Sequence, residues 1–101
     1  MNEAGLKGIL GLCVRAGQAD FGEEGCRKAL KAGQCAVLVL DGAASDNARR
    51  RYDSWCRNAG VPLAEVPEGL IEAATGKPGI AMAVRKGPFS QRIIDCLNGQ
   101  P

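Results

Sequence analysis

The run "CAVLVL", residues 35–40, decides the fold. It is apolar at every position and has the length of a strand. A strand that alternates apolar and polar has one wet face; one without alternation is buried on both. These residues therefore read as a central strand of a sheet, which requires helices above and below it. Upstream, residues 23–32 place Cys26, Ala29 and Leu30 at helical spacing, and Gly33 ends the pattern as a helix-stop glycine. Before them "ADFG", residues 19–22, is a short extended piece. Residues 3–16 carry Leu6, Ile9, Leu10 and Cys13 at i, i+3, i+4, i+7, closed by Gly17.

Downstream the alternation continues. In "SDNARRRYDSWCRNAG", residues 45–60, Ser45 suits the helix cap and Asp46 the positive end of the helix dipole. Ala48, Tyr52, Trp55 and Cys56 form one apolar stripe, and Gly60 terminates it. "VPLAEV" (61–66) is a strand whose Pro62 fits an edge position. "EGLIEAATG" (68–76) is a short helix with Ile71 and Ala74 inward, and "GIAMAV" (79–84) is another strand. "GPFSQRIIDCLNG" (87–99) puts Phe89, Ile93, Cys96 and Leu97 on one helical face, with Pro88 near the first turn. The predicted order is α-β-α-β-α-β-α-β-α. With short connections it specifies an α/β fold, a three-layer α/β/α sandwich around a mixed sheet of about four strands.

A length of 101 residues corresponds to one domain, residues 1–101, with enough chain for one core. Apolar content of 46% and charged content of 24% are those of a soluble globular protein. No run approaches a membrane span, and "MNEAGLKGIL" lacks the basic start of a secretory signal, so a cytoplasmic location with no membrane partner is expected. The five cysteines form no CxxC pair and there is no histidine, which argues against zinc and against Ser–His or Cys–His hydrolysis. The thiols read as reduced and buried, as in a cytosolic protein; only Cys26, near a helix start, hints at reactivity. No enzymatic constellation, metal site or cofactor is expected. The net charge of +2 does not by itself identify a partner, so the distribution of charge matters more.

The chemically informative stretch is "DFGEEGCRKAL", residues 20–30. Gly22 lies where a strand ends and a helix starts, and N–H groups there lack intrahelical partners. Lys28 is little more than a turn further on, and its side chain leans back toward that end. A lysine so placed suits the guanine O6 and N7 acceptors. Taken alone, the plainer reading is a capped helix with two glutamates on its dipole and a solvated lysine. Arg49, Arg50 and Arg51 fan around their helix, so at most two share a face; they are either a phosphate-contacting patch or a solvated surface. Tyr52 and Trp55 read as core before stacking platforms. "TGKPG" is not a phosphate loop: Gly69 and Gly76 are wrongly spaced, and Pro78 stands where Ser or Thr is needed.

Taken together, "LGLCVRAGQADFGEEGCRKALKAGQCAVLVLDGAASDN", "CRNAGVPLAEV" and "TGKPGIAMAV" resemble the kink-turn RNA-binding ribosomal protein family of the L-seven-Ae and L-thirty-e type, in particular its small bacterial ribosomal-like members. The resemblance runs over nearly the whole chain. It implies an RNA-binding protein that recognises sharply bent RNA. It implies that the backbone at Gly22 and Glu23 approaches the RNA, that Lys28 contacts a guanine, and that Ile80 and Ala81 pack against a flipped-out nucleotide. The family pattern Gly-x-Asn-Glu-x-x-Lys is altered here: Glu24 stands at the Asn position and Gly25 at the Glu position.

Three readings follow. The first is a monomeric, ribosome-associated RNA binder with Gly22, Glu23, Glu24, Lys28, Ile80 and Ala81 facing structured RNA, possibly ribosomal RNA, and with Arg49, Arg50 and Lys77 on phosphates. The second is a protein-interaction module that keeps the fold without base readout, motivated by Glu24 and Gly25. The third is a small-ligand binder or enzyme using the Gly22 helix start for a phosphate.

Overall fold

The apolar run lies at the centre of the sheet. In the computed structural model, which describes residues 1–100, β2 (Cys35–Asp41) pairs in parallel with β3 (Leu63–Val66) and antiparallel with β4 (Ala81–Arg85). β4 in turn pairs antiparallel with β1 (Ala19–Phe21), giving the strand order β1-β4-β2-β3. Pro62 just precedes edge strand β3, as its missing N–H requires, and its carbonyl accepts from Leu38 N at 3.0 Å.

Alternation along β2 and β4 divides the interior in two. Val37, Val39, Met82 and Val84 point to one face and pack under α1 (Glu3–Arg15), α4 (Leu70–Thr75) and α5 (Ser90–Leu97) with Leu6, Ile9, Leu10, Ile71 and Ile93. Leu38, Leu40, Ala81 and Ala83 point to the other face, under α2 (Gly22–Lys31) and α3 (Asp46–Ala59), with Cys26, Ala29, Leu30, Tyr52 and Cys56. The result is the three-layer α/β/α sandwich with a mixed four-stranded sheet. Each fully buried Leu or Ile contributes about 1.5–3 kcal/mol.

The helix ends follow local chemistry. Ser45 Oγ accepts from Ala48 N at 3.1 Å, and Asn2 Oδ1 accepts from Gly5 N at 3.1 Å. Asp41 ends β2 as a buried carboxylate. Its Oδ1 accepts from Ala43 N at 2.8 Å and its Oδ2 from Gly69 N at 2.9 Å, while its own N–H donates to Ile80 O at 2.7 Å. One aspartate thus joins the end of β2, the turn before α4 and the start of β4. Gly42 beside it has no room for a side chain: a Cβ there would stand 2.9 Å from Val66 O. No helix among the described residues is long and apolar enough to cross a membrane.

Candidate nucleic-acid interface

Strand pairing brings the Gly22 turn and the loop carrying Ile80 to one end of the sandwich. Phe21 lies opposite Met82 and Leu40 opposite Ala81, so the β1–α2 turn, the end of β2 and the residues before β4 share an edge. At that edge Gly22 has φ +78° in open space. Its requirement is therefore conformational: the chain leaves an extended Phe21 through a left-handed residue to start α2. No side chain caps this helix, so its first N–H groups point outward uncapped.

Around this turn the side chains take distinct positions. Glu23 and Glu24 are exposed in the first turn of α2. Glu23 Oε1 is 3.0 Å from Arg51 Nε, so its charge is answered; Glu24 forms no ion pair among the described residues. Lys28 is exposed and likewise unpaired. Lys77 Nζ lies 5.8 Å above the Phe21 ring, which places a cation over the start of the turn. Ile80 is 36% exposed and lines a shallow hollow of about 460 Å³ with Asp41, Ala43, Gly69, Glu72, Ala73 and Gly79.

Of the expected residues, Ala81 turns its side chain inward, and Arg49 and Arg50 lie away from the Gly22 turn. Ala81 is buried at 1% exposure, with its methyl in the α2–α3 core, so only its backbone borders the edge. Arg49 is held against β3, with Nη2 2.7 Å from Glu65 Oε1 and Nη1 3.3 Å from Asp46 Oδ1. Arg50 is exposed and unpaired among the described residues, beside Arg49 and away from α2. Arg51 is the arginine that reaches the Gly22 turn. At about 100° per residue it lies across the helix from Arg49. Gly25 is half-buried, and a Cβ on it would meet Asp20 Cβ at 3.7 Å. A glutamate at position 25 would thus stand beside Asp20, which is engaged with Arg85 through contacts of 2.9 and 3.0 Å.

All five cysteines are free and buried. Burial pushes the Cys26 thiol up to about 12, and Cys35 and Cys56 up to about 11. A thiol so shifted is not a nucleophile at neutral pH, and the hint of reactivity at Cys26 resolves into packing. Sequence reasoning missed the role of one residue and left that of another undecided. Asp41 braces the edge, and only the Asp-Gly pair after the apolar strand marks it. Arg51 is one of three adjacent arginines, and nothing local distinguishes it.

No protein-family model and no curated protein matches the chain. Solved structures do. A protein of unknown function from Bacillus halodurans C is 25% identical, with a TM-score of 0.86 over 92% of this chain and 96% of that one. The 15.5kD RNA binding protein of Giardia lamblia is 14% identical, with a TM-score of 0.76 over 95% of this chain and 83% of that one. The archaeal translation termination factor aRF1 is 22% identical and gives a TM-score of 0.61 over 77% of this chain, but only 23% of its own length is covered. This chain is built on the same fold as an RNA-binding protein and as one part of a translation factor.

Proposed function

We propose that this protein is a non-enzymatic, monomeric RNA-binding protein. It takes a sharply bent, kink-turn-like RNA on the edge containing Gly22, in a ribosomal or ribosome-associated setting. The observation that carries this reading is the meeting at that edge of an uncapped helix start entered through left-handed Gly22, Lys77 over Phe21, and exposed Ile80 on the adjoining loop, with an exposed, unpaired Lys28 further along the same helix. Outward N–H groups and a lysine suit base-edge and phosphate acceptors, and the isoleucine suits an unstacked base. Fold likeness to an RNA binding protein agrees with it. The high thiol pKa values and the lack of histidine support a binding role over catalysis.

The test is a titration with a kink-turn RNA and an unstructured RNA of equal length, at two salt concentrations. Preferential binding of the bent RNA, weakening with salt and reduced at least about tenfold in Lys28→Ala, is expected. Equal binding of both RNAs would overturn the reading.

A second reading has one specific observation behind it. Glu24 is an unanswered acid and Gly25 offers no side chain at the two positions beside the turn. A protein-interaction module on this fold would use that acidic spot. It would show as a protein partner retained after nuclease treatment and lost in Glu24→Lys.

A further inference from the structure

The outer surface between α2 and α3 is a ladder. Glu23 meets Arg51 at 3.0 Å, the Arg27 guanidinium lies 6.0 Å from the centre of the Trp55 ring, and Lys31 lines one hollow with Asn58 and Ala59. The numbers rise together by about one helical turn per rung on both helices, so α2 and α3 run parallel, side by side. The first rung is at the Gly22 turn, and the groove therefore opens directly onto the candidate interface. Its lower part is a hollow of about 280 Å³ lined by Arg27, Leu30, Lys31, Trp55, Asn58 and Ala59. Trp55 is half-buried, its ring edge-on to buried Tyr52 at 5.2 Å. Arg27 and Lys31 are exposed, and neither is in an ion pair among the described residues.

We propose that this groove binds a single-stranded segment of RNA flanking the bent site, with one base packed against Trp55 and Arg27 and its phosphate on Lys31. The inference rests on the RNA-binding reading above. An aromatic ring beside an exposed guanidinium, followed one turn later by a lysine, provides stacking and charge in the order a nucleotide presents them. The charge complementarity is to a polyanion, since the two cations have no acid of their own. A protein partner would want a broader apolar centre than Trp55 and the nearly buried Leu30 provide.

Trp55 is the only tryptophan in the chain, so its emission reports on this groove alone. The experiment compares a blunt kink-turn RNA, the same RNA with a short oligoadenylate tail, and oligoadenylate alone. The tailed RNA should bind about tenfold more tightly than the blunt one, as one base stack implies, and should quench Trp55, which the blunt RNA leaves unchanged. In Arg27→Ala/Lys31→Ala, both tail effects should vanish while affinity for the blunt RNA stays the same. Equal affinity for blunt and tailed RNA with constant emission overturns the proposal and leaves the bent-RNA site standing. If the blunt RNA fails to bind, the bent-RNA reading fails. Saturable quenching by oligoadenylate alone then supports the groove, and its absence overturns it. Quenching by polyglutamate with none by any RNA assigns the groove to an acidic protein and overturns the proposal.

Discussion

The two helical layers of this sandwich are built from different materials. The α1–α4–α5 layer fills its side of the sheet with Leu6, Leu10, Ile71, Met82 and Ile93. The α2–α3 side packs Leu30, Leu38 and Leu40 together with Tyr52, three cysteines and several alanines, among them Ala81 and Ala83 of β4, and its outer surface carries ion pairs, unpaired cations and Trp55. Large aliphatic residues supply cohesion on both sides, and dominate the first. Small residues on the second let α2 sit close to β4, bringing the Gly22 turn level with Ile80. Under the RNA-binding proposal, substitutions in the core of the first layer and at the Gly22 turn should have separable effects.

The largest expected effect is Leu10→Ala. Leu10 is wholly buried in the first layer, and the cavity should cost about 2–5 kcal/mol in denaturant unfolding. RNA affinity of the folded fraction should stay the same. Altered RNA preference in that variant would break the separation.

The second layer should be the alkali-sensitive one. Its thiols are held protonated: burial raises Cys26 from an ordinary 9.0 to about 12, and Cys35 and Cys56 to about 11. The unfolded chain releases these protons above pH 9, whereas the folded chain keeps them. Stability should therefore be level below the unfolded value and decline as pH rises from about 9 toward 11–12. Unfolding curves at neutral and alkaline pH check this, and undiminished stability at about pH 11 would contradict the burial. Thiol reagents at neutral pH should label the folded protein slowly at every cysteine.

Gly22→Ala comes next. The added methyl meets nothing, so its cost is the left-handed conformation alone, about 1–2 kcal/mol, read from a thermal melt. The turn should also shift, with a loss of RNA affinity beyond that of neighbouring substitutions. The smallest stability effect belongs to Arg49→Ala and Arg51→Ala, whose melting curves should overlay the parent's because their partners are exposed. In RNA binding they should differ. Arg51→Ala unmasks Glu23 at the turn and weakens binding, and Arg49→Ala, held against β3, leaves it unchanged.

What the sequence made legible was what repeats along the chain. The run from Cys35 to Leu40 announced a doubly buried strand, glycines marked the helix ends, and Ser45 marked its cap. Gly22, Lys77 and Ile80 are named by sequence, and strand pairing puts them near one edge. The rest depended on pairings that no spacing encodes. Glu65 lies 16 positions from Arg49, and Glu23 lies 28 from Arg51, so the choice among three adjacent arginines is made by tertiary packing. Asp41 reaches Gly69 across 28 positions. Ala81 falls in the strand expected over residues 79–84, but alternation turns its methyl inward, away from the nucleotide the family resemblance implies.

The most direct measurement of the central claim is a backbone amide chemical-shift map of the labelled protein as a kink-turn RNA is added. The largest shifts are expected at Gly22, Glu23, Glu24, Lys28, Lys77 and Ile80, with α1 and α5 unmoved. Shifts concentrated around Arg49 and Glu65, or on the outer face of α1, would contradict it.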